Sequence, residues 1–242
     1  SLAAEKLQGA SLFWDARMED APLCVAVALD AERAGATLKT HTALVTIGRE
    51  SSGWRARFRA ALTGEEGETA ARCVVNAAGP WAEAVRTLAG AKARAGMRRT
   101  RGSHVVVPAV VTKHALLLTA RRDGRILFVL PWGRHSLIGT TDVDDDVAPE
   151  RVRPTSEDVR YLLEEAGRAL PGLDPARRPL RTFAGIRSLV QGSAIQPWAN
   201  RREHRILEER GLLTLIGGKY TTHRSLAERV VDRVVRILRK PA

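Results

Sequence analysis

The sequence predicts a mixed α/β chain of α+β organisation, and three observations predict it. Helical patterns occupy four separate stretches, near residues 19–34, 81–89, 155–170 and 221–239. Between them lie short apolar runs, too many and too irregularly spaced for a helical bundle. No internal repeat and no low-complexity segment interrupts this order.

Each element has a local reason. The first helix rests on Leu23, Val27 and Ala31 at helical spacing, with Gly35 as its stop. Strands are predicted over residues 36–40, 43–47 and 54–60, and Ser51-Ser52-Gly53 makes the last two a hairpin. Residues 64–67 read as a turn and 71–76 as one apolar strand. That strand runs into Ala77-Ala78-Gly79-Pro80, with Pro80 at the first position of a helix over 81–89. Further strands are expected at 104–107, 116–118, 126–130 and 136–139, with Pro131-Trp132-Gly133 as a turn. Thr155 caps the third helix, Asp158 being its capping-box partner, and Pro171-Gly172 ends it. Strands at 182–189, 205–208 and 212–216 follow. Gly217-Gly218 then leads into a closing helix over 221–239.

Composition excludes several classes. The chain has 242 residues, and its 44% hydrophobic content argues against disorder. No apolar run approaches the roughly 20 residues of a membrane-spanning helix. The two cysteines, Cys24 and Cys73, make neither a disulfide framework nor a zinc site, so a reducing compartment is expected. The net charge of +12 comes mainly from 33 arginines. It suits an anionic partner or an ordinary solvated surface. Residues 84–125 carry ten Lys or Arg and one acid, Asp123, but lack the interleaved aromatics of a single-strand stacking platform. Nucleic acid is therefore not an expected partner.

Several familiar motifs fail on inspection. Asp142, Asp144 and Asp146 imitate a calcium loop, but Val147 and Arg153 stand where Gly and Glu are needed, leaving a solvated acidic turn. Gly218-Lys219 is no nucleotide triphosphate loop, because Tyr220 follows the lysine. The dinucleotide fingerprint GxGxxG is absent, and no metal site is expected.

Five constellations remain. They are Val74–Trp81, Arg101-Gly102-Ser103-His104, Pro131-Trp132 with Ile138-Gly139-Thr140-Thr141-Asp142, Gly185-Ile186-Arg187 with Arg202, and Gly217 to Arg224. Singly, each also suits an ordinary turn, a hydrogen-bonded surface histidine or a surface arginine. The fifth stands at the start of a helix, where free N–H groups and the dipole favour an anion.

In this order and spacing the five segments resemble the flavin-dependent glycerol-3-phosphate dehydrogenases, of the D-amino-acid-oxidase-like superfamily. The resemblance runs from Trp14-Asp15 to the last helix. It implies a partial FAD-binding, Rossmann-like domain over 14–95 and 206–242. A substrate domain with a mainly antiparallel sheet would span 96–205, and residues 1–13 would end an earlier substrate-domain segment. Contacts to FAD would come from Val45, Asn76, Ala77, Ala78, Gly79, Trp81, Ser103, Gly217, Gly218, Lys219, Tyr220 and Thr221. Arg187, Arg202 and Lys219 would meet the substrate phosphate. His104 would contact the substrate and help take its hydroxyl proton, and His104, Arg187 and Lys219 form the expected catalytic set. Hydride would pass from glycerol 3-phosphate to flavin N5, giving dihydroxyacetone phosphate, and electrons would leave to a quinone or another acceptor. A cytoplasmic location, peripheral at the inner face of an anionic membrane, follows from the same resemblance. Self-association is left open.

Two departures stand out. Glu19-Asp20-Ala21-Pro22-Leu23 lacks the arginine usual in that family segment. The strand–GxGxxG–helix unit that holds the ADP half of FAD is not in the chain, so a fragment that binds FAD poorly by itself is expected. Two other readings stay open: a sister flavoprotein for another hydroxy or amino acid, and a non-catalytic basic module for nucleic acid or membrane.

Overall fold

The structure, a computed structural model, describes residues 2–3, 7–191 and 204–239. It is mixed α/β. Helix α1 (Asp20–Arg33) leads into β1 (Thr42–Glu50), β2 (Gly53–Ala60) and β3 (Glu66–Ala71), an antiparallel meander. Next come β4 (Val74–Asn76), a 3₁₀ turn over Gly79–Trp81 and α2 (Ala82–Leu88). The long β5 (Met97–Pro108) is followed by β6 (Leu116–Thr119), β7 (Ile126–Trp132), β8 (His135–Gly139) and the short β9 (Val143–Asp144). Helix α3 (Ser156–Ala169) precedes β10 (Arg181–Val190). Strands β11 (His204–Glu209) and β12 (Leu212–Gly217), a 3₁₀ turn over Tyr220–Thr222 and α4 (His223–Arg239) complete the described chain.

Among the described residues three sheets result. The largest is antiparallel, in the order β10-β5-β8-β7-β6, with β9 on β5. The smallest set, β11-β12-β4, contains the parallel pair β12–β4. Helix α3 covers one face of the large sheet. Alternation along β5 sends Arg101, Ser103, Val105 and Val107 toward α3, and Gly102 and His104 to the opposite face. Leu162, Leu163, Ala166 and Leu170 of α3 pack on Val105, Leu127, Val129 and Ile138. Each large aliphatic buried there stabilises the fold by roughly 1.5–3 kcal/mol. A second, smaller core joins Ile47, Trp54 and Ala56 of the meander to Leu212 of β12.

The hairpin at Ser51-Ser52 and the α3 capping box form as predicted. Thr155 Oγ1 accepts from the Asp158 N–H, and the Asp158 carboxylate accepts from the Thr155 N–H.

Other expectations need correction. Residues 36–40 form no strand. They lead into a turn in which His41 takes a φ of 50°. The turn expected at 64–67 lies earlier, because Glu66 already pairs with Arg59. Residues 71–76 are not one strand. Ala71 closes β3 opposite Trp54, whereas Val74 opens β4 opposite Leu212 in another sheet, so the chain changes sheets at Arg72-Cys73. Pro131 and Trp132 belong to β7, and the turn falls at Gly133-Arg134.

The acidic turn is not simply solvated. Arg187 pairs with Asp142 at 3.3 Å, Arg98 with Asp144 at 2.5 Å, Arg99 with Asp146 at 3.3 Å, and Arg101 with Asp145. Three arginines of the basic stretch are thereby neutralised by one short loop.

Candidate functional site

A cleft of about 440 Å³ lies between the face of the large sheet opposite α3 and the parallel β4–β12 pair. Its walls bring together Arg187 from β10, Gly79 from the turn after β4, and Gly217, Gly218, Lys219, Tyr220 and Thr221 from the turn after β12. These segments are far apart in sequence. They meet because β4 and β12 run parallel, so both strands end at the same edge of the sheet and release their turns there.

The floor of this region is backbone. Gly217 has φ 75° and Gly218 φ 91°, conformations that a residue with a Cβ adopts only at a cost. Gly79 has φ 53°, and a Cβ built on it would meet no atom within 4 Å, so space stands open above it. Asn76 makes the turn without facing the cleft. It is 3% exposed, and its Nδ2 donates to Ala82 O at 2.9 Å and Thr214 Oγ1 at 3.3 Å. Its Oδ1 accepts from the Ala78 N–H. It therefore braces the turn and leaves the open surface to small residues.

Arg187 is held firmly. Its Nη2 donates to Thr140 Oγ1 at 2.8 Å, and its Nη1 donates to Thr141 O at 3.0 Å and pairs with Asp142. His104 lies on the same sheet face, its ring stacked on Phe183 with centroids 5.1 Å apart and planes 10° from parallel. Burial, and then the nearby Arg187 charge, push the imidazole down from 6.5 to about 4. His104 is thus neutral at physiological pH. Lys219 is exposed, and among the described residues its ammonium has no hydrogen-bond or ion-pair partner.

The remaining expected contacts fall elsewhere. Ser103 is fully buried on the α3 side, where its Oγ donates to Asp158 at 2.8 Å. The strand alternation that puts His104 on one face of the sheet puts Ser103 on the other. Trp81 faces a neighbouring groove with Pro80, and its indole N–H donates to Glu150 at 3.2 Å. Val45 sits in β1 at a register shift between Leu44 and Thr46, away from the cleft. Ala77 and Ala78 lie in the Asn76-braced turn. Arg202 lies outside the described residues. The sequence reading missed Asp142 as the counter-charge of Arg187, although the segment 138–142 had drawn attention.

The cradle suits a flat, anionic-edged cofactor such as a flavin. Two positive-φ glycines let backbone approach closely, the space over Gly79 is open, and the N-terminus of the 17-residue α4 follows directly.

Comparison with known proteins bears on this geometry. The family described as "FAD dependent oxidoreductase" matches residues 2–224. Among curated relatives, the mitochondrial glycerol-3-phosphate dehydrogenase of Homo sapiens is 33% identical over 97% of this chain and 34% of its own length. The D-erythritol 1-phosphate dehydrogenase of Brucella abortus is 34% identical over 92% of this chain and 46% of its own. A solved structure, the glycerol-3-phosphate dehydrogenase from Bacillus halodurans complexed with FAD, aligns with a TM-score of 0.80 and 28% identity. That alignment covers 93% of this chain and 45% of the other. The chain thus spans less than half the length of each of these proteins.

Proposed function

Because the chain belongs to the FAD-dependent oxidoreductase family, we propose that the protein oxidises a phosphorylated polyol, sn-glycerol 3-phosphate, to dihydroxyacetone phosphate. The observation that carries this reading is the placement of Arg187 in the wall of the cleft with Gly217, Gly218 and Lys219, with neutral His104 beside it on the same sheet face. FAD, when bound, supplies the two-electron acceptor for the hydrogen on the substrate's secondary carbon. Gly79, Gly217 and Gly218 would hold it by backbone approach.

This chain's side chains do the rest. Arg187 and Lys219 bind the substrate phosphate through charge-assisted hydrogen bonds. Thr140, Thr141 and Asp142 fix the guanidinium before the substrate arrives, which lowers the ordering cost of binding. His104 takes the hydroxyl proton on an imidazole nitrogen. A phosphate on Arg187 offsets the positive charge that depresses His104, so substrate binding raises the basicity of the ring when a base is needed.

The domain division expected from the sequence, 96–205 for substrate and 14–95 with 206–242 for FAD, is supported by the sheets. Strands β5 to β10 all fall within the first range, and β4 and β12 fall outside it. Electrons then pass to a quinone. The excess of arginine supports peripheral attachment to an anionic membrane from the cytoplasmic side. No helix among the described residues is long and apolar enough to cross a membrane.

A longer polyol phosphate is the second reading, favoured by the similarity to the erythritol-phosphate enzyme. The test uses the FAD-loaded full-length protein. Arg187→Ala and Lys219→Ala should each raise KM for glycerol 3-phosphate about tenfold or more while FAD stays bound, as expected when a charge-assisted bond of roughly 1.5–3 kcal/mol is lost. Unchanged kinetics in both variants would sink the site assignment. A better kcat/KM for a four-carbon polyol phosphate would select the second reading.

A further inference from the structure

His104 and Arg187 share a feature that the sequence does not advertise. Each lies across a glycine of the neighbouring strand. Gly139 on β8 is the cross-strand partner of His104 on β5. A Cβ built on Gly139 would overlap Cδ2, Nε2 and Cγ of the His104 ring. Gly102 on β5 pairs with Gly185, two residues before Arg187 on β10. A Cβ built on Gly102 would overlap the Arg187 guanidinium, at both of its terminal nitrogens and its central carbon.

Backbone conformation does not explain these glycines. Neither has a positive φ, unlike Gly217 and Gly218. The φ of each is open to an L-residue, and the close contacts show that glycine supplies space here. Not every strand glycine in the molecule does this. A Cβ on Gly48 of β1 would meet nothing within 4 Å. The two sites are also built differently. His104 meets Gly139 with its ring and has Phe183, its partner on the other neighbouring strand, stacked beside it. Arg187 crosses Gly102 with the end of a flexible side chain, which Thr140, Thr141 and Asp142 then hold.

We infer that Gly139 and Gly102 are positioning residues, seats that lay the His104 ring and the Arg187 guanidinium flat on the same sheet face, with Arg187 in the cleft wall and His104 beside it. The inference rests on the proposed oxidation, and it divides that reaction between two strands. Gly139 acts through His104 on proton transfer. Gly102 acts through Arg187 on phosphate binding. A methyl group at either place would displace its partner by an ångström or more. Displacements of about 1 Å in a reacting group cost on the order of 100-fold in rate.

The experiment compares Gly139→Ala and Gly102→Ala in the FAD-loaded full-length protein, alone and combined with His104→Ala or Arg187→Ala, using glycerol 3-phosphate as substrate and inorganic phosphate as competitor. Gly139→Ala should lower kcat about tenfold or more with KM nearly unchanged. The His104 ring protons should titrate at higher pH by NMR, because the displaced ring is less buried. Gly102→Ala should raise KM and weaken phosphate inhibition by a similar factor, leaving the His104 titration in place. Neither should add to the loss already caused by removing its own partner side chain. Gly48→Ala calibrates what a methyl group costs on an open strand.

If Gly139→Ala fails to fold, Gly139→Ala/His104→Ala removes the overlap and should restore folding, and failure of that pair too would overturn the seat. Glycine variants that match the wild type, or losses that add fully to those of the partner substitutions, would overturn the inference while His104→Ala and Arg187→Ala remain impaired. If those two single variants are themselves unimpaired, the proposed function falls first and takes this inference with it.

Discussion

The two walls of the cleft are built on opposite principles. The wall that carries Arg187, with His104 beside it, is made of side chains held by other side chains. Behind it, Asp158 of α3 accepts from Arg101 Nε at 2.8 Å, Ser103 Oγ at 2.8 Å and the Thr155 N–H at 3.0 Å. Beside it, four Arg–Asp pairs tie the loop at 142–146 to β5 and β10. The wall made by Gly79, Gly217 and Gly218 is backbone, shaped by positive φ angles, with the exposed Lys219 at its rim. Its helix α4 is strongly amphipathic, yet only Val230 is buried, whereas α3 buries Tyr161, Leu162, Leu163 and Ala166. A side-chain wall should be sensitive to charge and pH. A backbone wall should be indifferent to both.

The hardest blow to the first wall is Asp158→Ala. Burial works to raise this carboxyl, but the Thr155 N–H, the Ser103 hydroxyl and Arg101 outweigh it and hold the group below the ordinary carboxylate range. Removing it leaves Arg101 and Ser103 short of a partner in a buried site, at a cost of about 3–5 kcal/mol in chemical denaturation. A loss under 1 kcal/mol would mean that this wall is not held ionically.

Acid should be nearly as damaging. The His104 ring titrates at about 4 in the folded protein against 6.5 ordinarily, so between those values the unfolded chain binds more protons. Stability contributed by neutral His104 is complete above pH 6.5 and is lost as pH falls toward 4. The difference amounts to roughly 3 kcal/mol. Unfolding curves across this window should flatten in His104→Gln, and a slope that survives the substitution would assign it to other groups.

Gly217→Ala probes the second wall. At φ 75° a Cβ costs about 1–2 kcal/mol. The loss should be the same at pH 5 and pH 8, and a pH-dependent loss would erase the distinction between the walls. Val231→Ala, on the uncovered part of α4, should change stability by less than about 0.5 kcal/mol. A larger effect in thermal unfolding of the chain would show that α4 is covered in solution.

Much of this was legible locally. The capping box of α3 needs only Thr155 and Asp158 three residues apart, and the hairpin needs only the Ser51-Ser52-Gly53 turn. The glycines of the last loop announced themselves because nothing else tolerates those angles. Strand β3 escaped notice because Glu66–Ala71 has no apolar alternation; its side chains are mostly exposed, and it is held by pairing with β2. The two-residue β9 is too short to leave a pattern.

The site divides in the same way. The segments containing His104, Arg187 and Lys219 could be singled out in sequence because residue type and neighbouring glycines suggest chemistry. The direction of Ser103 and the partner of Arg187 could not. A shift of one position along a strand reverses the face a side chain takes, and that phase is set by what α3 packs against. The sequence by itself determined helix ends, tight turns and a shortlist of polar groups, since these depend on interactions over a few residues. Tertiary structure decided which strand ends meet, which arginines are neutralised and which face of β5 lies under α3. Those outcomes depend on contacts between residues tens of positions apart, and no local pattern encodes them.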